Sequence, residues 1–382
     1  MHIRRGKGNS MKGKPVIPPI FMTATYKFDG SEDLIDVVQR RSGYIYSRWD
    51  NPSVVEVETA LAALEGYERA LGFGSGMAAI TAAVMAHVRA GDRIVTTREV
   101  YGGTYELMDA VLPGFGVSTT FVNCWKTDEI LAELDKGAAV LYLESPTNPL
   151  LRVVDVPTLA AAARAANVVV LLDGTFASPI NQHPADWGVD VLIHSATKYL
   201  GGHHDVTAGF VCCNAAAADR IWNLRKIFGG VMDPMSAFLT LRGMQTLDLR
   251  IQRQNANAMA VAQFLQAHAG IAEVHYPGLA SHPDHAIAEQ LMSGFGGMLS
   301  FDVATDFEGT KRVMDRLKTI KLATSLGGVT SLANQPITNT HVALSPEARK
   351  KAGVSESLVR LSVGIEPVQT LIDDLDQALR AV

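Results

Sequence analysis

The stretch Leu159-Ala160-Ala161-Ala162-Ala163-Arg164-Ala165-Ala166-Asn167-Val168-Val169-Val170-Leu171-Leu172-Asp173 sets the fold class. Its first half is alanine-rich, which favours helix. Its second half is an apolar run with three valines that closes on an aspartate, the pattern of a strand buried on both faces. Moving outward, Arg93-Ile94-Val95-Thr96-Thr97, Ala139 to Glu144, Val191 to His194 and Gly209 to Cys212 read as further buried strands, with helix-forming segments between them. That alternation predicts an α/β domain with a large, mainly parallel sheet. Glu144-Ser145, Asp173 and His194-Ser195 stand at the strand ends, and open α/β sheets form their ligand crevice at the carboxyl ends of strands.

Asn51-Pro52, followed by Val54, Val57, Leu61 and Leu64, supplies an N-cap, a proline at the first helical position and an apolar face at three-four spacing. From about residue 240 the pattern changes to long amphipathic helices and alternating strands, among them Gly297 to Phe301 and Leu358 to Val363. A last helix carries Val368, Leu371, Ile372, Leu375 and Leu379 on one side. With 382 residues the chain exceeds one ordinary domain. We expect an N-terminal arm over 1–45, an α/β domain over 46–240 and a smaller α+β domain over 241–382.

Charged residues make up 19% of the chain and break every apolar stretch before it reaches bilayer-spanning length, so no membrane span is expected. The net charge of -5, without a basic stripe, argues against nucleic acid as a partner. Met1 to Lys7 is basic but leads into Gly, Lys and Pro rather than an apolar core, which reads as a short flexible arm on a cytoplasmic protein. Cys124, Cys212 and Cys213 are too few and too irregularly spaced for a disulfide framework or a zinc site. Cys212-Cys213 reads as core strand. The adjacent side chains of His203-His204-Asp205 diverge, so no metal site is expected there and a hydrogen-bonded loop is.

Gly72-Phe73-Gly74-Ser75-Gly76-Met77-Ala78-Ala79 passes from an apolar run into a helix whose first N–H groups can cradle a phosphate. Met77 occupies the third position of a would-be dinucleotide fingerprint, which argues against a nicotinamide dehydrogenase, and the Walker lysine is missing. A glycine turn without ligand is the alternative. Lys198, in His194-Ser195-Ala196-Thr197-Lys198, follows another apolar strand; desolvation there would lower its pKa and suit it to Schiff-base chemistry. Asp173, at a neighbouring strand end, could keep a pyridinium nitrogen protonated, and Ser195 and Thr197 could complete a phosphate cup.

With these residues in view the chain resembles the Cys/Met-metabolism pyridoxal-phosphate (PLP) enzymes, a family that includes cystathionine γ-lyase, cystathionine γ-synthase, methionine γ-lyase and the homoserine-ester sulfhydrylases. The likeness runs from about Pro18 to the C-terminus. Ser195-Ala196-Thr197-Lys198-Tyr199-Leu200-Gly201-Gly202-His203 carries it most specifically, supported by Glu144-Ser145-Pro146-Thr147-Asn148-Pro149, Ser325-Leu326-Gly327-Gly328 and Arg360 to Glu366. The resemblance implies a fold-type I PLP-dependent transferase architecture with a seven-stranded-type sheet. It casts Lys198 as the Schiff-base lysine and proton shuttle, Asp173 as partner of the pyridine nitrogen, and Tyr101 as the ring-stacking tyrosine that helps the leaving group. Gly76, Met77, Ser195 and Thr197 correspond to the phosphate cup. Tyr46 and Arg48 match a pair that the neighbouring subunit contributes, which implies a homotetramer of two active dimers. Arg360 and Ser325 match the groups that bind the substrate α-carboxylate, and Asn148 a residue near that carboxylate and the cofactor hydroxyl.

The chain departs from the family pattern at several points. Gly174 replaces an asparagine, removing a polar contact near the ring. Trp49-Asp50 replaces a small residue and is expected to reshape the pocket mouth. Thr330 stands where many members carry a glutamate linked to the distal amino group of cystathionine. Gly103 replaces the cysteine of methionine γ-lyases, and Asn339-Thr340 replaces Met-Thr before His341. The expected activity is γ-elimination from a sulfur amino acid such as cystathionine or methionine, giving a 2-oxo acid, ammonia and a thiol. Its alternatives are γ-replacement on an O-acyl homoserine and a non-catalytic PLP-binding protein.

Overall fold

The computed structural model describes residues 15–338 and 353–380. The basic start at Met1 to Lys7 and Asn339-Thr340-His341 lie outside the described residues. Seven strands form the larger sheet: β1 (Arg69–Phe73), β2 (Arg93–Thr97), β3 (Ser118–Val122), β4 (Val140–Glu144), β5 (Val169–Asp173), β6 (Val191–His194) and β7 (Gly209–Cys213). Their spatial order is β1-β7-β6-β5-β4-β2-β3, and β7 alone runs antiparallel to its neighbours. Every residue of β4, β6 and β7 is buried because helices cover both faces, which is why these strands read as continuous apolar runs instead of alternating. One face packs Leu141, Leu143, Leu172 and Leu192, the other Tyr142, Leu171, Ile193 and Val211.

The helix Pro52–Glu65 starts where the sequence places it, with Asn51 Oδ1 accepting the Ser53 N–H at 2.9 Å and Pro52 in the first turn. Its inward face differs from expectation at one position. Leu64 is 37% exposed, and Glu65 turns inward instead. The reason is polar: Glu65 Oε1 pairs with His194 Nε2 at 2.5 Å, and Glu58 Oε1 on the same helix accepts from Arg225 at 2.5 Å and from the Gly72 N–H at 2.7 Å. Asp173 is the last residue of β5, at the strand end.

The 21-residue helix Leu247–Ala267 leads to a five-stranded sheet of β8 (Ile271–His275), β9 (Met298–Val303), β10 (Lys321–Leu322), β11 (Leu332–Asn334) and β12 (Leu358–Ser362), ordered β10-β11-β12-β9-β8. The helix Val368–Leu379 closes its core with Leu371, Leu375 and Leu379, each 1% exposed and each contributing about 1.5–3 kcal/mol of burial. Both sheets meet along one seam. The Val329 N–H donates to the Gly202 carbonyl at 3.0 Å, and Ser300 Oγ to the Pro149 carbonyl at 2.7 Å. Among the described residues no helix is long and apolar enough to cross a membrane.

Candidate active site

The seam brings together residues from both sheets. Lys198 sits in the turn after β6, and its Nζ donates to Ser325 Oγ at 3.0 Å. Ser325 holds φ at 77°, a left-handed conformation uncommon outside glycine. The following Gly327, at φ 79°, lets its loop press onto the lysine turn: a Cβ there would lie 2.8 Å from Tyr199 N and 3.1 Å from Lys198 C. Burial first, and the Arg360 charge second, lower the Lys198 amine from 10.5 to about 8. Arg360, in the middle of β12 and 4% exposed, donates through Nη1 to Asn148 Oδ1 at 3.1 Å and through Nη2 to the Ser325 carbonyl at 3.2 Å.

Asp173 ends β5 buried, and its Oδ1 accepts the Thr175 N–H at 3.0 Å. Burial raises its pKa, with the Thr175 hydrogen bonds and the nearby His194 acting in the opposite direction. Thr175 Oγ1 in turn accepts the Ser195 N–H at 2.8 Å and so ties the β5 end to the β6 end. Gly76 opens the helix Gly76–Met85 against that same turn. A Cβ on Gly76 would stand 2.9 Å from Ser195 Cβ and 3.0 Å from its Oγ. Thr197 Oγ1 donates to the Ala208 carbonyl at 3.3 Å and accepts the Ala208 N–H at 3.0 Å.

Tyr101 precedes the short helix Gly102–Glu106; it is 45% exposed, while its N–H donates to the buried Glu144 Oε2 at 2.7 Å. Its ring rests on Gly103, where a Cβ would meet Tyr101 Cε1 at 2.8 Å and Met77 Sδ at 3.1 Å. Tyr46 and Arg48 have different partners. Arg48 donates to the Lys226 carbonyl and lies over the Tyr46 ring at 5.5 Å, and both residues are exposed. Among the described residues no hydrogen bond links them to Gly76, Ser195 or Thr197.

The family profile described as Cys/Met metabolism PLP-dependent enzyme matches residues 1–380. The chain belongs to this family. It is 41% identical over 368 residues to the L-methionine γ-lyase of Fusobacterium nucleatum subsp. polymorphum, covering 95% of this chain and 93% of that one. It is 38% identical over 381 residues to the cystathionine γ-lyase of Bacillus subtilis (strain 168), covering 100% and 98%. The crystal structure of cystathionine γ-synthase from Xanthomonas oryzae pv. oryzae, in complex with aminoacrylate and cysteine, superposes with a TM-score of 0.91 at 36% identity, covering 96% of this chain and 93% of the other. The chain is therefore a PLP-dependent enzyme of sulfur amino-acid metabolism with the α/β fold of this family.

The residues present fit the cofactor. Only a glycine at position 76 allows a ten-residue helix to start so close to Ser195, leaving a cradle that a Cβ would fill and that helix N–H groups can offer to a phosphate. Lys198, half-buried, follows in the same turn, its N–H donating to the Ser195 carbonyl at 3.1 Å. Two departures acquire physical causes. At Gly174 a Cβ would fall 2.9 Å from Leu192 Cδ1, so that leucine occupies the room a side chain would need, while His194 Cε1 at 3.4 Å would be an ordinary contact. Trp49 and Asp50 pack inward: Trp49 meets Trp222 edge-on at 6.1 Å, and Asp50 accepts from Trp222 Nε1 and from Arg225, each at 3.0 Å.

His203 Nδ1 contacts the Gly201 carbonyl at 2.8 Å, and Cys212 and Cys213 are fully buried. Thr175 carries no sequence signal, whereas Glu144 is legible as a carboxylate closing an apolar strand, and the structure sets it in register with Asp173.

Proposed function

We propose that this enzyme is a γ-elimination lyase, converting a cystathionine-like or methionine-like amino acid and water to a 2-oxo acid, ammonia and a thiol. The seat of Lys198 carries the reading: an amine held near neutrality, bonded to Ser325, beside the Arg360 guanidinium. The substrates named for relatives at 41% and 38% identity support this choice.

In the proposal Lys198 would hold PLP covalently through its amine, Asp173 would pair with the ring nitrogen, and Tyr101 would stack on the ring. The N–H groups of Gly76 and Met77 and the hydroxyls of Ser195 and Thr197 would hold the phosphate. When bound, PLP supplies an electron sink for negative charge at the substrate α carbon. Arg360, with Ser325 and Asn148, takes the substrate α-carboxylate, for which a guanidinium fork is suited. Lys198 Nζ takes the substrate α proton and then moves the proton at the β carbon. Tyr101 Oη delivers a proton to the departing sulfur.

Tyr46 and Arg48 serve the phosphate of a second copy, in a homotetramer of two active dimers. Their exposure supports this, as does the helix Ser31–Arg40, which buries no residue and leaves Leu34, Ile35 and Val38 exposed. The division at 1–45, 46–240 and 241–382 is part of the same reading, supported by the two sheets lying on either side of residue 241. So is a cytoplasmic location, for which the three unpaired, buried cysteines speak.

The likeness to the Xanthomonas synthase favours a second reading, γ-replacement on an O-acyl homoserine. One assay separates the two: 2-oxobutanoate release from cystathionine, methionine and O-succinylhomoserine, with and without cysteine or sulfide. Oxo acid from cystathionine or methionine alone is expected. Turnover with the homoserine ester only, diverted by added thiol, would replace the lyase by the synthase reading.

A further inference from the structure

A line of hydrogen bonds connects the site residues. It runs from Lys198 Nζ to Ser325 Oγ, from Arg360 Nη2 to the Ser325 carbonyl and from Arg360 Nη1 to Asn148 Oδ1. Glu144 extends it. This carboxylate, 4% exposed, accepts the Tyr101 N–H at 2.7 Å and closes β4 just ahead of the turn that carries Asn148. Glu144 ends β4 in register with Asp173, and burial together with that neighbouring carboxylate pushes its pKa well up. A carboxylate is therefore an expensive group to place here.

Its advantage is an oxygen that takes the Tyr101 N–H and so ties that loop to the end of β4. A glutamine can present its NH₂ to that N–H in place of an oxygen. Tyr101 itself is 45% exposed, so the place of its ring depends on where its backbone is pinned.

We propose that Glu144 is a positioning residue that pins the Tyr101 backbone to the turn carrying Asn148, fixing the separation between the tyrosine hydroxyl and the carboxylate clamp. The inference rests on the roles proposed above for Tyr101 and Asn148. It predicts that Glu144 influences turnover through Tyr101 and leaves cofactor capture by Lys198 intact.

The test is a double-mutant cycle on the holoenzyme, with 2-oxo acid release, bound-cofactor absorbance and thermal unfolding as readouts. Glu144→Gln is expected to keep its cofactor and its Tm while kcat falls roughly 10–100-fold, the range for weakening charge-assisted hydrogen bonds. In a Tyr101→Phe background the same substitution is expected to cost less than about threefold, because residues that act as a unit are non-additive. Equal losses in both backgrounds overturn this inference alone. Tyr101→Phe with wild-type turnover overturns the reading of Tyr101 and this inference with it.

Glu144→Asp supplies an independent arm, since it keeps the charge beside Asp173 but withdraws the oxygens by one methylene. A loss that again depends on Tyr101 is expected; wild-type turnover would mean that charge alone suffices and would overturn the proposal.

Discussion

Replacing Arg360 separates two effects that its guanidinium exerts together. Of its five N–H groups, one on Nη1 goes to Asn148 Oδ1 and one on Nη2 to the Ser325 carbonyl, leaving the others for the substrate carboxylate proposed above. Two charge-assisted hydrogen bonds at about 1.5–3 kcal/mol each amount to roughly 3–6 kcal/mol, or roughly 10²–10⁴ in kcat/KM. Arg360→Lys and Arg360→Met should both lose on this scale, because neither offers a fork. They should differ at Lys198. The Arg360 charge, after burial, holds that amine at about 8, so the methionine variant should raise its midpoint and the lysine variant should leave it in place. The sign follows from the nucleophile being the neutral amine: the rate at which cofactor-stripped protein recaptures PLP rises with pH through about 8, and Arg360→Met moves that rise to higher pH. Steady-state kinetics and absorbance-monitored reconstitution across pH give both quantities. An unmoved midpoint in the methionine variant, or a wild-type kcat/KM in the lysine variant, would refute the reasoning.

Gly76→Ala puts a methyl 2.9 Å from Ser195 Cβ, which should destabilise the protein by about 1–3 kcal/mol and weaken PLP binding; a titration giving wild-type affinity counts against the phosphate cradle. Gly103→Ala should push the Tyr101 ring from a contact at 2.8 Å, lowering kcat with the bound-cofactor spectrum unchanged, and unaltered turnover would contradict the stacking role. Ser325→Gly suits the φ of 77° and removes the hydroxyl that Lys198 bonds, so turnover should fall about tenfold without loss of fold; a wild-type rate would dismiss the tether. In cofactor-stripped protein Lys198 loses its proton at about 8 when folded and near 10.5 when unfolded, so stability should rise with pH across that window. The gain over Lys198→Met is about 3 kcal/mol, and matching pH slopes in denaturant titrations would exclude it.

The strands, their mainly parallel order and the residues at their carboxyl ends were legible in the sequence, because periodicity and β-branched runs report local backbone preference and burial directly. Lys198 and Asp173 stood out for that reason, each following an apolar run. Which polar groups meet is a different matter. Lys198 and Ser325 lie 127 residues apart, Arg360 and Asn148 212 apart, and their encounter depends on how two sheets close along a seam. The inward turn of Glu65 in place of Leu64 illustrates the limit. Helical spacing alone favours the leucine, and only His194, brought over from β6, gives the glutamate a buried partner.

Gly174 and Glu144 follow the same logic. Gly174 reads as a lost side chain and lies where a Cβ would press on Leu192, while Glu144 reads as the end of a strand and also takes the Tyr101 N–H from a distant loop. The sequence by itself determined the elements and the chemical types at their ends, whereas tertiary structure decided the polar partnerships. Hydrophobic burial is non-directional and survives as a pattern along the chain, but a hydrogen bond requires two specific atoms within about 3 Å, and only the closed fold sets that distance.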